Sequence, residues 1–177
     1  MRVTQPTWRP SARILLADPH DRLLLFRVAD GTWITPGGGI DKGEPVEVAA
    51  TRELREETGR HVTTAQLGPV VALTEGHWEG QWNGRLYYSV ESYFFLRVPE
   101  FTVDTSGFTD YERSDISVHR WWSLTELQDT TERVVPWGLP GLLPRLYAGE
   151  VPAAPVRLPW HHPEFGHLEP VRPPSAL

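Results

Sequence analysis

Apolar positions gather first into two short aliphatic runs, Ser11–Ala17 and residues 22–28, parted by Asp18-Pro19-His20-Asp21. Proline at the second position of such a break presets the backbone for a turn, so the two runs predict a hairpin of strands. After Trp33-Ile34-Thr35 the pattern gives way to Pro36-Gly37-Gly38-Gly39. Consecutive glycines open backbone conformations closed to other residues and let a ligand come close, which predicts a loop. Over 45–58 the residues become Val, Ala, Glu, Arg and Leu, with Pro45 suited to a first helical turn and Gly59 to a stop. One helix of about four turns is expected there.

Downstream, residues 62–67 and 70–74 read as extended, and 85–98 is dense in the Tyr, Phe, Val and Leu that favour strands. Asn83-Gly84 marks a turn before that strand. Residues 116–122 predict another strand, and Ser123-Leu124-Thr125-Glu126 has the form of a capping box that opens a short helix. The apolar stretch 137–147 predicts a helix broken by Pro140 and Pro144. Beyond Glu150 seven prolines, at 152, 155, 159, 163, 170, 173 and 174, stand among few aliphatics. The expected organisation is one α/β (α+β) domain over residues 1–148, followed by a Pro-rich tail, 149–177, that drapes over the domain or stays loose.

Composition narrows the function classes. A chain of 177 residues with 40% hydrophobic content can enclose one core. Its net charge of −6 arises from 17 Lys and Arg against 23 Asp and Glu, without a basic block. Binding of extended nucleic acid through a broad positive footprint is therefore not expected. A small phosphorylated molecule remains compatible if a metal ion supplies the positive charge. The absence of Cys excludes a thiolate metal site and any disulfide framework. The first residues lack a signal-peptide core and no run reaches 18 apolar residues, so a soluble, cytoplasmic protein without membrane association is expected.

The acids of the predicted helix demand an explanation. On a helical wheel Glu53, Glu56 and Glu57 fall within an arc of roughly 100°, together with Val46, Ala49 and Ala50 and with Leu54 at its edge. An ordinary amphipathic helix opposes its charges to its apolar face. Here the acids share the inward side, while Thr51, Arg52 and Arg55 face outward. Carboxylates so close repel one another and resist ionisation unless a cation joins them. Hard oxygen donors without thiolate or histidine favour Mg²⁺, with Mn²⁺ as a substitute, and Mg²⁺ sites of few carboxylates are suited to phosphate chemistry.

Gly38, Glu44, Arg52, Glu53, Leu54, Glu56, Glu57 and Gly59 stand at the spacing of a known signature. The stretch resembles the Nudix box of the Nudix hydrolase superfamily (MutT-like), and chance coincidence of these positions has a probability on the order of 10⁻⁷. Trp33, Pro36-Gly37 and Arg120-Trp121-Trp122-Ser123 extend the resemblance over most of residues 11–128. It implies an α/β/α sandwich around a mixed sheet. It also implies metal-binding carboxylates at Glu53, Glu56 and Glu57, a carbonyl ligand at Gly38, and an Arg52–Glu44 ion pair bracing loop against helix. A helix acid, or a Glu from a later loop such as Glu112, would be the general base. Arg60 stands where the family carries an aliphatic residue, which bears on packing at the helix end.

Other residues have plainer explanations. Trp78, Trp82, Tyr87 and Tyr88 are either nucleobase contacts or core and cross-strand pairs, the latter being commoner. Trp121 and Trp122 must face opposite sides of a sheet. His77, His119, His161, His162 and His167 show no metal spacing and read as surface or tail residues. Arg27, Arg85 and Arg97 can each reach a phosphate. The expected activity is metal-dependent pyrophosphohydrolysis of a nucleoside diphosphate derivative or triphosphate by water attack on phosphorus. The other classes are a Nudix-like domain that binds nucleotide without cutting it and an isoprenyl diphosphate isomerase, against which the lack of Cys counts. The family resemblance also makes a homodimer an expectation.

Overall fold

The computed structural model of the chain describes residues 5–80 and 83–161. In order the elements are β1 (Thr7–Trp8), β2 (Ser11–Ala17), β3 (Leu23–Arg27), β4 (Trp33–Ile34), β5 (Gly37–Gly39), α1 (Val46–Thr58) and α2 (Thr64–Leu67). They continue with β6 (Val70–Glu79), β7 (Leu86–Arg97), α3 (Asp110–Asp115), β8 (Val118–Trp122), α4 (Leu124–Asp129), α5 (Leu139–Tyr147) and β9 (Val156–Arg157). The backbone path of the sheet is β4-β3-β2-β7-β6-β9, with β8 beside β3, β5 beside β2 and β1 beside β7. The β2–β7 pairing is parallel and the β6–β7 pairing antiparallel, so the sheet is mixed.

Two helical layers cover this sheet because its central strands are apolar on both faces. In β2 and β3 alternate residues point opposite ways. Ile14, Leu16, Leu24 and Phe26 pack under Ala49, Ala50 and Leu54 of α1. Leu15, Leu23 and Leu25 pack instead with the leucines of α5. Trp122 belongs to the α5 side and Trp121 borders the α1 side, as a strand requires. The mixed-sheet α/β/α sandwich expected from the sequence is the observed architecture. Among the described residues no helix is long and apolar enough to cross a membrane.

Four local expectations need correction. Residues 62–67 are not a strand: Thr63 donates its N–H to Gln66 Oε1 at 2.8 Å and opens the single turn of α2. A local cap thus overrides the β-propensity of the valine and threonines. Gly37–Gly39 are not a free loop but strand β5, antiparallel to β2. A Cβ at Gly37 would stand 2.1 Å from the Ala12 carbonyl oxygen, so the glycine there serves backbone approach within the sheet. The 137–147 helix is not broken: α5 runs through Pro144, with Pro140 in its first turn. Burial of Leu139, Leu142, Leu143 and Leu146, at about 1.5–3 kcal/mol each, outweighs the roughly 3 kcal/mol cost of an internal proline. Finally, β6 extends to Glu79 rather than ending at Thr74, because it pairs along β7 up to the Gly80–Gly84 turn.

Leu54 anchors α1 to the sheet and is fully buried. Leu54→Ala is expected to cost about 2–5 kcal/mol, seen as a lower urea midpoint with an unchanged denaturant slope.

Candidate active site

The C-terminal half of α1 turns two acids inward. Glu53 and Glu57 are only 6% and 4% exposed. Glu57 Oε2 accepts the Gly37 N–H at 2.6 Å, tying the helix to β5. At Gly38 an added Cβ would lie 2.8 Å from Glu53 Oε2, so the missing side chain is what lets the Glu53 carboxylate rest against the strand. Arg52 braces the same junction from outside. Its guanidinium donates to both Glu44 oxygens at 3.0 and 2.8 Å, to the Gly39 carbonyl at 3.0 Å and to Glu53 Oε1 at 2.6 Å. These bonds hold the Glu44 carboxyl down to about 2.

A third acid arrives from another element. The Asp104 N–H donates to the Thr58 carbonyl at 3.0 Å, and a Cβ at Gly107 would stand 2.4 Å from the Glu56 carbonyl oxygen. Absence of a side chain at 107 therefore lets this loop lie directly on the end of α1. The loop leads into α3, where Glu112 Oε2 accepts from the Thr109 N–H at 2.7 Å and hydroxyl at 2.8 Å. Carboxylate oxygens of Glu53, Glu57 and Glu112 all lie within 4.8 Å of one another. Glu56 stands outside that group, facing Arg52 at 3.5 Å and Arg55 at 3.9 Å.

Charge is strained at this cluster. Burial pushes the Glu57 carboxyl well up from its ordinary value and the Glu53 charge adds to the rise, against the pull of the Gly37 N–H and Arg13. Burial also raises Glu53, in opposition to Arg52. Three hard oxygen donors, two of them nearly dry, form a set that a divalent cation of the Mg²⁺ kind fits, since its charge relieves both burial and mutual repulsion.

Arg13 and Glu91 are participants that the sequence reasoning missed. Arg13 donates to Glu91 Oε1 at 3.2 and 3.0 Å and to the Gly37 carbonyl at 2.5 Å. Glu91 Oε2 in turn accepts from the Tyr93 hydroxyl at 2.6 Å and from Thr74 at 3.3 Å. Gly37 is thus held at its carbonyl by Arg13 and at its N–H by Glu57, so that two successive peptide groups of the strand are fixed. The available signal was a charge in the middle of each of two apolar strands, SARILLA and LYYSVESYFFLR, where a buried charge requires a partner.

A cavity of about 510 Å³ opens over the carboxylates, bordered by Gly38, Glu53, Glu57 and Glu112. A neighbouring cavity of about 730 Å³ is lined by Thr35, His77, Tyr93, Trp137 and His161 among others. Arg13, Trp78, Glu91, Arg133 and Trp160 border both. Of the phosphate and base candidates, Trp78 faces this cleft, donates to Ser89 at 2.8 Å and stacks on Tyr87 with ring centres 4.7 Å apart. Arg27 approaches Glu132 at 3.8 Å and Arg97 pairs with Asp21; neither borders the two cavities. Arg85 is exposed beside the β6–β7 turn. His77 and His161 border the larger cavity, His161 as the exposed tail residue expected, whereas Trp82, His162 and His167 lie outside the described residues. The Arg60 guanidinium sits 5.8 Å from the Phe101 ring centre, filling the helix end where the family pattern has an aliphatic side chain.

A mixed sheet between helices, with buried acids converging on a cleft beside a Gly-rich strand, defines a class of hydrolases acting on phosphoanhydrides. The NUDIX domain model matches residues 7–141, and the chain belongs to this family. The RNA pyrophosphohydrolase of Sphingopyxis alaskensis is 30% identical over 148 residues, spanning 73% of this chain and 85% of its own. That of Erythrobacter litoralis is 31% identical over 149 residues, spanning 73% and 83%. Among solved structures, the MutT protein from Methanosarcina mazei Go1 superposes with a TM-score of 0.57 at 18% identity, over 81% of this chain and 96% of its own. The E. coli dihydroneopterin triphosphate pyrophosphohydrolase gives 0.58 at 19% identity, over 81% and 99%.

Two measurements test the geometry. A carboxyl whose folded-state pKa is raised binds more protons when native, so its ionisation removes stability as pH climbs from the ordinary Glu range through the raised value. In chelator at pH 7, Glu57→Gln is expected to melt at least about 2 °C above the parent and to show a flatter pH profile, with Mg²⁺ stabilising the parent more than the variant. Arg13→Leu, which strands Glu91, is expected to cost about 3 kcal/mol in chemical denaturation.

Proposed function

We propose that the chain hydrolyses the diphosphate bond of a nucleoside diphosphate derivative or nucleoside triphosphate, with water attacking phosphorus. The observation that carries this is the convergence of Glu53, Glu57 and Glu112 within 4.8 Å in a chain of the NUDIX family. These three, with the Gly38 carbonyl, are the ligands proposed for Mg²⁺, or for Mn²⁺ in its place. A bound divalent cation activates water and offsets charge on phosphate oxygens. The protein contributes position and proton handling. Arg52, through Glu44, Gly39 and Glu53, fixes the angle between α1 and β5. Arg13, through the Gly37 carbonyl, fixes the peptide group that follows the one whose N–H meets Glu57. Arg133 and Arg9 border the cavity over the acids and are proposed to offer positive charge to phosphate groups there. Glu56, one helical residue before Glu57 and outside the group of three, is proposed to accept the proton from the attacking water.

A second reading, pyrophosphohydrolysis on an RNA, is favoured by the relatives from Sphingopyxis alaskensis and Erythrobacter litoralis, which span most of this chain. The net charge of −6 argues for contact at a terminus rather than along a strand.

A Mg²⁺-dependent screen of nucleoside triphosphates, nucleotide sugars, dinucleotides and a triphosphorylated oligoribonucleotide, with product detection, separates these readings. On the preferred small molecule, Glu57→Gln and Glu56→Gln are each expected to lower kcat/KM at least about 100-fold. Only Glu57→Gln should also weaken Mg²⁺ binding measured calorimetrically without substrate. Tight nucleotide binding with no turnover across the panel would sink the hydrolytic reading.

A further inference from the structure

The family match ends at residue 141, yet the chain afterwards returns to the sheet. β9 pairs in parallel with Ala72 and Leu73 of β6, and the Leu158 N–H donates to the Leu73 carbonyl at 2.9 Å. Two residues on, Trp160 Nε1–H donates to the His77 carbonyl at 3.2 Å. Its indole lies over Gly76, where an added Cβ would stand 2.2 Å from the ring. Glycine inside a strand weakens it and marks close approach of another group. Here that group is Trp160, so the segment from β9 to Trp160 occupies a fitted seat on β6.

The seat lies at the junction of the two cavities, and Trp160 borders both. The larger cavity, about 730 Å³, lies within the range of roughly 300–1,000 Å³ typical of small-molecule sites. Its walls combine the indoles of Trp78, Trp137 and Trp160 with the hydroxyl-bearing Thr35 and Thr74 and the Glu132 carboxylate. Aromatic planes offer stacking faces, and interspersed donors and acceptors suit the edge of a heteroaromatic ring better than a hydrocarbon chain. Arg13 and Arg133, on the side shared with the carboxylate cavity, face the direction in which a phosphate group attached to such a ring would extend.

We propose that the larger cavity is a nucleobase subsite and that Trp160, delivered by the segment after the family domain, is its stacking face. The phosphate end of this assignment rests on the hydrolase reading above; the base end does not need turnover. The ligand class is a nucleoside phosphate, with its base against Trp160 and its phosphates toward the acids. Gly76 makes the seat testable from the opposite side, because a methyl group there collides with the indole.

Full-length parent, Trp160→Ala, Trp160→Phe and Gly76→Ala proteins, each checked for an intact fold by circular dichroism, are titrated calorimetrically with AMP and GMP. The same four are assayed on a nucleoside triphosphate and on inorganic tripolyphosphate, which has no base. Trp160→Ala and Gly76→Ala are expected to weaken monophosphate binding about tenfold or more, with Trp160→Phe retaining most of it. The loss in turnover should fall on KM rather than kcat, and should be about tenfold larger for the nucleotide than for tripolyphosphate. Unchanged monophosphate affinity in Trp160→Ala, equal losses with tripolyphosphate, or no monophosphate binding by the parent at millimolar concentration overturns the subsite. Weakened binding in the variants of a parent that turns over no phosphoanhydride supports the subsite while removing the hydrolase reading.

Discussion

The short bond from the Gly37 N–H to the Glu57 carboxylate is the contact on which the cleft depends. It joins the one long helix of the α1 layer to the edge of a three-glycine strand, and it does so with an acid that burial penalises. A lone hydrogen bond does not hold a buried carboxylate in place. The Gly37 carbonyl is therefore clamped by Arg13, and the Arg13 charge is answered by Glu91, whose second oxygen is met by Tyr93 and Thr74. Each polar group in this chain of contacts has a partner, which is the condition under which a polar network rigidifies a core rather than weakening it.

Around that axis the acids are positioned by unlike means. Glu53 is aimed by Arg52 and by the space that Gly38 leaves. Glu112 belongs to a short helix whose own cap, Thr109, grips its carboxylate, and the loop before it reaches α1 because Gly107 has no side chain. Backbone proximity at Gly37, Gly38 and Gly107 thus does for the cleft what large side chains do for the core. The outer brace, Arg52 with Glu44, is a bidentate and partly buried pair that sets orientation from the outer side of the junction.

Local features of the fold were legible in the sequence, and long-range ones were not. The helix over 45–58 carried its own start and stop and became α1, and the aliphatic runs 11–17 and 22–28 became β2 and β3. The strand character of Gly37–Gly39 was hidden, because it depends on pairing with Ser11, Ala12 and Arg13 rather than on glycine's own preference. The spacing of Thr63 and Gln66 stood in the sequence, but the β-branched residues around it led to the expectation of an extended segment, which the cap overrides. Helical spacing alone put Glu53 and Glu57 on the inward side, whereas Glu56, expected in the same arc, is half-buried against Arg52 and Arg55. Arg13 and Glu91, 78 residues apart, looked like separate interruptions of apolar strands until the parallel β2–β7 register set them side by side. Trp160 was one aromatic in a proline-rich stretch, and only its fit over Gly76 gave it a place.

The same register bears on how the molecule comes into being. Because β2 and β7 run parallel, their connection must travel through α1, α2 and β6 before the pair can zip, and loop closure of that length must precede any reward from the ladder. A ribosome-bound chain lacking β7 would expose the Arg13 guanidinium on an unfinished strand, without its answering acid. Assembly of the centre therefore waits on synthesis of β7, and translation products that stop before it lack the acid that answers Arg13.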